Sequence, residues 1–418
     1  MGLVKGVVML IVTGSYNGQD SLGDECLLKA VVFRIQKILP SSQILVQLHD
    51  VNTPFIGSFA TDFKVEISNG LQTPLWRAEH LMRRLKMPKS FINWARWHVV
   101  RLFSMLNFLE TRRIEANLCA AEAFFVYGGT QFSGQWYSLN APALLASAKL
   151  THNAGGKVIF GPQQYGPLQT HERAELRHFL LKFVDYWVTR NELDIDLLVD
   201  GEADRDQRLV YDEVFSATEL YPSSRGQAPE YFLVNLRSMT FDTNDEISKA
   251  DFKRIALLID ELIQEYQLPA VFFGVSDSTF CDDASVLDTL KAHLTDPTKI
   301  SSVGRVKDEY ELFELAHKAK FALSMSFHGC ILSGIAGCPF VPVTEGKYYD
   351  HKYVDFDKYT GGQGVPIVSL STLDVKETLD QIGAYVSKFD IAQVEQIRLK
   401  ASVTLDDFYQ IALPKVQQ

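Results

Sequence analysis

The residues most able to do chemistry stand where short apolar runs end. His328 lies in Phe321-Ala-Leu-Ser-Met-Ser-Phe-His-Gly-Cys-Ile-Leu-Ser-Gly-Ile-Ala-Gly-Cys-Pro-Phe340, where an apolar run closes at Ser326 and a stretch of small residues begins. A histidine at such a strand–helix junction faces the sheet edge and exchanges protons near neutral pH. It can equally cap its own helix, and the segment leaves both readings open. Arg190 and Arg237 also end apolar runs, Arg237 in Val234-Asn-Leu-Arg237. An arginine there either grips phosphate or carboxylate in a fork or pairs with a nearby acid. Lys352, in Tyr349-Asp-His-Lys352, puts a further cation on the following loop.

Three glycine-bearing loops accompany them. The first, Gly14-Ser-Tyr-Asn-Gly-Gln-Asp-Ser-Leu-Gly-Asp-Glu25, contains Gly23 and Asp24; the second, Phe125-Val-Tyr-Gly-Gly-Thr130, contains Gly128 and Gly129. The third is Gly161-Pro-Gln-Gln-Tyr-Gly-Pro167, with Gly166 before its second proline. None is a GxGxxG or Walker A loop. Each reads either as a tight turn, the first capped by Asp24, or as a backbone amide cradle for an anion. Asp194-Ile-Asp196 has the spacing of a metal-binding DxD, but it falls in an apparent helix, Leu193–Val199, where the two side chains diverge; a solvated face is expected. No zincin helix and no GxSxG elbow is present.

The elements that must position these residues alternate. Strands are expected at Val7–Thr13, Ile44–Leu48, Ala123–Tyr127, Lys157–Phe160, Tyr186–Thr189 and Arg208–Tyr211. A second set is expected at Tyr231–Leu236, Ala270–Val275, Lys299–Val303, Phe321–Ser326 and Phe340–Val343, with a weaker one at Val365–Leu370. Helical stretches lie between them, as in α/β proteins with parallel sheets. Tyr221-Pro-Ser-Ser-Arg-Gly-Gln-Ala-Pro229 lacks apolar periodicity and reads as a linker. The expected organisation is a first domain over 1–220, a linker at 221–230, a second domain over 231–385, and C-terminal helices over 386–418 packing back on the first. Two such open domains facing across a cleft put ligands outside the carboxyl ends of the strands.

Composition narrows the function classes. The 418 residues carry 41 Lys and Arg against 51 Asp and Glu, a net charge of −10, which argues against a nucleic-acid partner. Cys26, Cys119, Cys281, Cys330 and Cys338 form no CxxC pair, so neither a zinc site nor a disulfide framework is indicated. Mean hydropathy is near zero, the opening apolar run reads as a strand, and no run is long enough to span a bilayer. A soluble cytoplasmic protein is expected.

Taken together, the segments resemble the polysaccharide pyruvyl transferase family. The resemblance rests on Gly23-Asp24, Gly128-Gly129, Gly161-Pro162 with Gly166-Pro167, Arg190, Ser326-Phe-His328, Gly337-Cys-Pro339 and Tyr349-Asp-His-Lys352, in that order over most of the chain. It implies a fold of two Rossmann-like domains similar to the B-type glycosyltransferases. It implies transfer of a pyruvyl group from phosphoenolpyruvate to a sugar, forming a cyclic ketal, with no cofactor and no metal. His328 would then be the acid or base. Arg237 would act with it, and Gly23, Asp24, Gly128, Gly129, Gly166, Arg190, Ser326 and Lys352 would line the substrate. Two positions depart from the family pattern: Ser21 stands where an Asn is usual, and Ser326 replaces the Arg of an Arg-x-His junction. The second departure keeps two alternatives open, a B-type glycosyltransferase with a nucleotide-sugar donor and a non-catalytic family member.

One region breaks the acidic background. Between Trp76 and Arg113 nine Lys or Arg face two Glu, a local charge of +7, and three of the five Trp fall there. It reads as a helical insertion of about 73–120 in the first domain. Its apolar face can pack on that domain, lie on an anionic membrane surface, or stack on an acidic glycan. The acceptor would be a sugar of a polysaccharide or of a lipid-linked oligosaccharide at the inner face of the membrane.

Overall fold

A computed structural model describes residues 8–14, 21–48, 54–71, 108–198, 208–222, 228–237, 247–278, 281–283 and 286–415. The chain divides into two compact units. One comprises residues 1–19, 27–213 and 404–418, the other residues 20–26 and 214–403.

The first unit is built on a six-stranded parallel sheet. Its strands are β1 (Met9–Thr13), β2 (Gln43–Leu48), β3 (Glu66–Asn69), β4 (Ala123–Val126), β5 (Lys157–Gln163) and β6 (Tyr186–Thr189), in the order β3-β2-β1-β4-β5-β6. The central strands β1 and β4 are buried at every position because helices cover both faces, so no solvent-facing alternation survives. Phe124, Val126 and Phe160 pack with Tyr137 and Leu144 of the helix Gly134–Asn153 and with Leu176 of the helix Thr170–Phe183. Each such buried side chain contributes about 2 kcal/mol of burial free energy.

The second unit repeats the plan. Its strands are β7 (Tyr231–Asn235), β8 (Ala270–Gly274), β11 (Ile300–Arg305), β12 (Ala319–Ser324), β13 (Phe340–Thr344) and β14 (Val368–Ser369), in the order β11-β8-β7-β12-β13-β14. A separate hairpin joins β9 (Asp277–Ser278) to β10 (Cys281–Asp282). With the hairpin set aside, both sheets have the doubly wound order 3-2-1-4-5-6, whose ligand crevice opens where the order reverses. In the second unit that point lies between β7 and β12.

Helices of the chain include α1 (Leu22–Ile38), α2 (Lys249–Tyr266), α3 (Phe327–Ile335), α4 (Lys347–Tyr353) and α5 (Ile391–Ala412). The first turn of α1 goes with the second unit and its remainder with the first; α5 divides between residues 403 and 404.

Three expectations need correction. β3 was not anticipated, because Glu66-Ile-Ser-Asn69 is a half-exposed edge strand with no apolar run. Arg208–Tyr211 is not a strand; Leu209 makes a single bridge to Thr189, and the Arg208 guanidinium turns back onto Trp187. The stretch Val365–Leu370 pairs only over Val368–Ser369. Of the basic insertion, residues 72–107 lie outside the described residues, and Phe108–Ala120 is a helix. No described helix is long and apolar enough to cross a membrane.

Candidate functional site

The carboxyl edge of the second sheet gathers most of the candidate residues. β12 ends at Ser324, and Ser326 caps α3: its extended backbone leaves the Oγ to accept from the Gly329 amide at 3.2 Å. The Ser326 N–H donates to Asn235 Oδ1 at 3.1 Å and to Ser324 Oγ at 3.0 Å. Ser326, where the resemblance leads one to expect an arginine, is thus a buried helix cap. α3 ends in a left-handed Gly337, φ 80°, before Cys338-Pro339. Its small residues are required by packing, since a Cβ on Gly334 would overlap the Phe340 ring.

His328 is the second residue of α3 and half-buried, and the Ser326 hydroxyl supplies the cap, so the imidazole is not needed for it. One wall against it is unexpected. A Cβ on Gly23 would fall on Nδ1, Cγ and Cβ of His328, so only glycine lets the first turn of α1 approach the ring this closely. The Nδ1 edge therefore lies against α1. That turn is fastened to the second sheet: Leu22 N–H donates to Val275 O at 3.0 Å, Ser21 bridges Ser276, and Arg305 reaches Glu25 at 3.4 Å. The start of α1 thus lies beside His328. Asp24 sits within the first turn of α1 rather than capping it, where a carboxylate complements the helix N-terminus.

Two cations adjoin the same junction. The Lys352 ammonium of α4 lies 5.4 Å from the ring centroids of both Phe327 and Tyr348. Arg237, two residues beyond β7, donates its backbone N–H to Met325 Sδ at 3.4 Å and holds its Nε 3.8 Å from Asp283 Oδ1. Tyr353 donates to Met325 O at 3.1 Å, tying α4 to the junction. Within α3, the Cys330 thiol donates to Ser324 O at 3.5 Å, and burial pushes it far above the ordinary thiol range, so it stays protonated.

The remaining candidates lie in the first unit and are explained by its packing. A Cβ on Gly128 would meet the Pro162 carbonyl oxygen, and Gly129, φ 139°, accepts from Gln164 N–H at 2.9 Å; the pair lets β4 and β5 converge. Gly166 precedes a cis proline, and its carbonyl accepts from Gln164 Nε2 at 2.8 Å. Arg190 is buried and ion-paired with buried Asp212. Asp194 is not on a solvated face: fully buried, it accepts from Tyr165 N–H at 2.8 Å and Thr189 Oγ1 at 2.9 Å. The helix period gave the right element, but a carboxylate turned inward to serve the β5 and β6 strand ends has no local signature.

Sequence reasoning missed Asn235, Asp283 and Asp212. Asn235 was visible as one amide closing an apolar strand. Asp283 lies in a loop 48 residues away and had no signal. Among the described residues, no group of three or more His, Cys, Asp or Glu is disposed to hold a metal ion.

Comparison with known proteins agrees with this architecture. The UDP-GlcNAc 2-epimerase of Methanocaldococcus jannaschii superposes with a TM-score of 0.51 at 12% identity, over 94% of this chain and 99% of that one. The UDP-GlcNAc 2-epimerase of Neisseria meningitidis, solved bound to UDP-GlcNAc, gives 0.52 at 11%, over 96% and 99%. At such identities the likeness establishes the fold, two Rossmann-like domains of the B-type glycosyltransferase class. No curated protein matches in sequence. The family model of polysaccharide pyruvyl transferase matches residues 62–346, and the chain belongs to that family of transferases.

Proposed function

We propose that the chain transfers the pyruvyl group of phosphoenolpyruvate to two hydroxyls of one sugar, forming a pyruvate ketal on a polysaccharide or lipid-linked precursor. The observation that carries this reading is the gathering of one histidine and two cationic residues, Arg237 and Lys352, around one strand–helix junction at the strand-order reversal of the second unit, in a chain of this family. Phosphoenolpyruvate is a small polyanion. Arg237 and Lys352 would balance its carboxylate and phosphate, with the start of α3 adding the partial positive charge of a helix N-terminus.

His328, with Nδ1 against α1, would present Nε2 to the donor. Protonation of the enol carbon C3 leaves C2 electron-poor. A sugar oxygen bonds to C2 and loses its proton, the C2–phosphate oxygen bond breaks, and a second sugar oxygen closes the ketal. Of the two hydroxyl protons, one replaces that given to C3 and the other leaves with phosphate. Proton transfer of this kind contributes about 10²–10⁴-fold. His328→Ala is therefore expected to lose that factor in a phosphoenolpyruvate-dependent transfer assay; near wild-type turnover would remove His328 from the chemistry. Thermal stabilisation by phosphoenolpyruvate, and not by UDP- or GDP-sugars, separates this reading from a nucleotide-sugar transferase.

The acceptor reading extends to residues 76–113. Their +7 charge and three Trp support peripheral contact with anionic lipid at the inner face of the membrane, where a lipid-linked acceptor would lie. The full chain should co-sediment with phosphatidylserine-containing vesicles at low salt and be released at high salt; no sedimentation at low salt refutes the contact.

A further inference from the structure

We infer that Asn235 and Asp283 are positioning residues that set Arg237 and the start of α3 in one frame. This rests on the donor-site reading above and adds two residues to it.

Asn235, the last residue of β7, is fully buried, and its amide is engaged on both sides. Nδ2 donates to Phe273 O at 3.0 Å and to Asp283 Oδ2 at 3.1 Å. Oδ1 accepts from Ser326 N–H and from Ser324 Oγ, each at 3.1 Å. One side chain thus links three adjacent strand ends: its own, β8 through Phe273, and β12 through the cap of the His328 helix. An amide is the group for this place, because it offers two donors and an acceptor in fixed geometry.

Asp283 completes the frame. It is fully buried, and its Oδ2 takes three donors: Asn235 Nδ2, Val275 N–H at 2.8 Å and Ser276 N–H at 3.2 Å. That fixes the carboxylate plane and turns Oδ1 toward Arg237 Nε at 3.8 Å. A buried carboxylate with three donors on one oxygen is a rigid anchor for the guanidinium. Val275 also receives Leu22 N–H, so the strand end that orients Asp283 holds the α1 turn against His328. The network therefore governs Arg237 directly and the imidazole through its two supports, Ser326 and the α1 turn.

The test is a double-mutant cycle on the full chain with phosphoenolpyruvate as the probe. Asp283→Asn keeps the shape and removes the charge facing Arg237. It should raise the donor Kd and KM about tenfold and change the acceptor KM less than twofold. In an Arg237→Ala background the same substitution should have no further effect on donor binding, because its effect passes through Arg237. Additive losses in the cycle, or an unchanged donor Kd in Asp283→Asn, overturn the inference. A second readout needs neither donor nor turnover. Asn235→Ala, with Asn235→Ser as the milder change, should shift the His328 Cε1–H resonance of histidine-labelled protein, assigned with His328→Gln. An unmoved resonance in folded Asn235→Ala or Asn235→Ser overturns the link to the imidazole. Wild-type protein that binds no phosphoenolpyruvate would refute the donor-site reading, and the resonance test would then decide the network alone.

Discussion

Glu213→Gln offers a prediction whose size follows from the geometry. Glu213, the last residue of the first unit's central stretch and the first of a short helix, is fully buried. Its Oε2 lies 3.5 Å from Arg34 Nε, and its Oε1 accepts from the Tyr409 hydroxyl at 2.5 Å. Arg34 is shared with Asp406, and the neighbouring Asp212 holds Arg190. Burial pushes the carboxyl from 4.5 up to about 7; Asp212 and Asp406 add to the rise, while Arg34 and the Tyr409 hydroxyl oppose it. The folded chain therefore holds this proton more tightly than the unfolded chain. The resulting stability is full below pH 4.5 and is lost as the pH rises through about 7. That interval corresponds to about 3 kcal/mol. Gln is neutral throughout and keeps an acceptor for Tyr409. Between about pH 5 and pH 8 the unfolding free energy of Glu213→Gln should thus rise relative to wild type by about 2–3 kcal/mol, in favour of the variant at high pH. Urea unfolding of both proteins across that range measures it. A difference that stays level with pH would refute the reasoning, since a constant offset reports packing and not titration.

Two further substitutions probe the α3 junction. Gly23→Ala should displace the imidazole and lower kcat by about 10²-fold with little change in donor KM; steady-state kinetics check it, and an unchanged kcat would show that the ring tolerates the methyl group. Ser326→Ala removes the cap of α3 and should cost about 1 kcal/mol in urea unfolding, whereas Ser326→Thr stays close to wild type. Equal stability of the two would remove the capping role.

How much of this was legible depends on whether a signal is local. The central strands announced themselves because parallel strands covered on both faces are continuous apolar runs. β3, a polar edge strand, did not, and Arg208–Tyr211 imitated a strand with residues that bind back on Trp187. His328 and Arg237 were legible as strand-end residues, since the doubly wound order places those ends at one crevice. The reason for Gly23 was not: a loop leaving β1 looks like a ligand cradle, and only the tertiary structure sets it against an imidazole. Gly128 and Gly129 drew the same reading, and the structure gives them a part in strand packing. Asn235 and Asp283 act through side chains 48 residues apart, a pairing that no periodicity encodes.

The division of α5 bears on how the protein is made. Residues 404–418 go with the first unit, where Tyr409 stacks on Phe125 with ring centroids 5.1 Å apart and Asp406 pairs with Arg34. A nascent chain ordinarily folds its leading domain while the rest is still being synthesised. Here the leading sheet lacks part of its cover until some two hundred later residues have emerged. Its apolar face waits exposed through that interval, making the growing chain a natural client for holding chaperones. Cutting this protein between its halves would then strand the first unit in the same unfinished state.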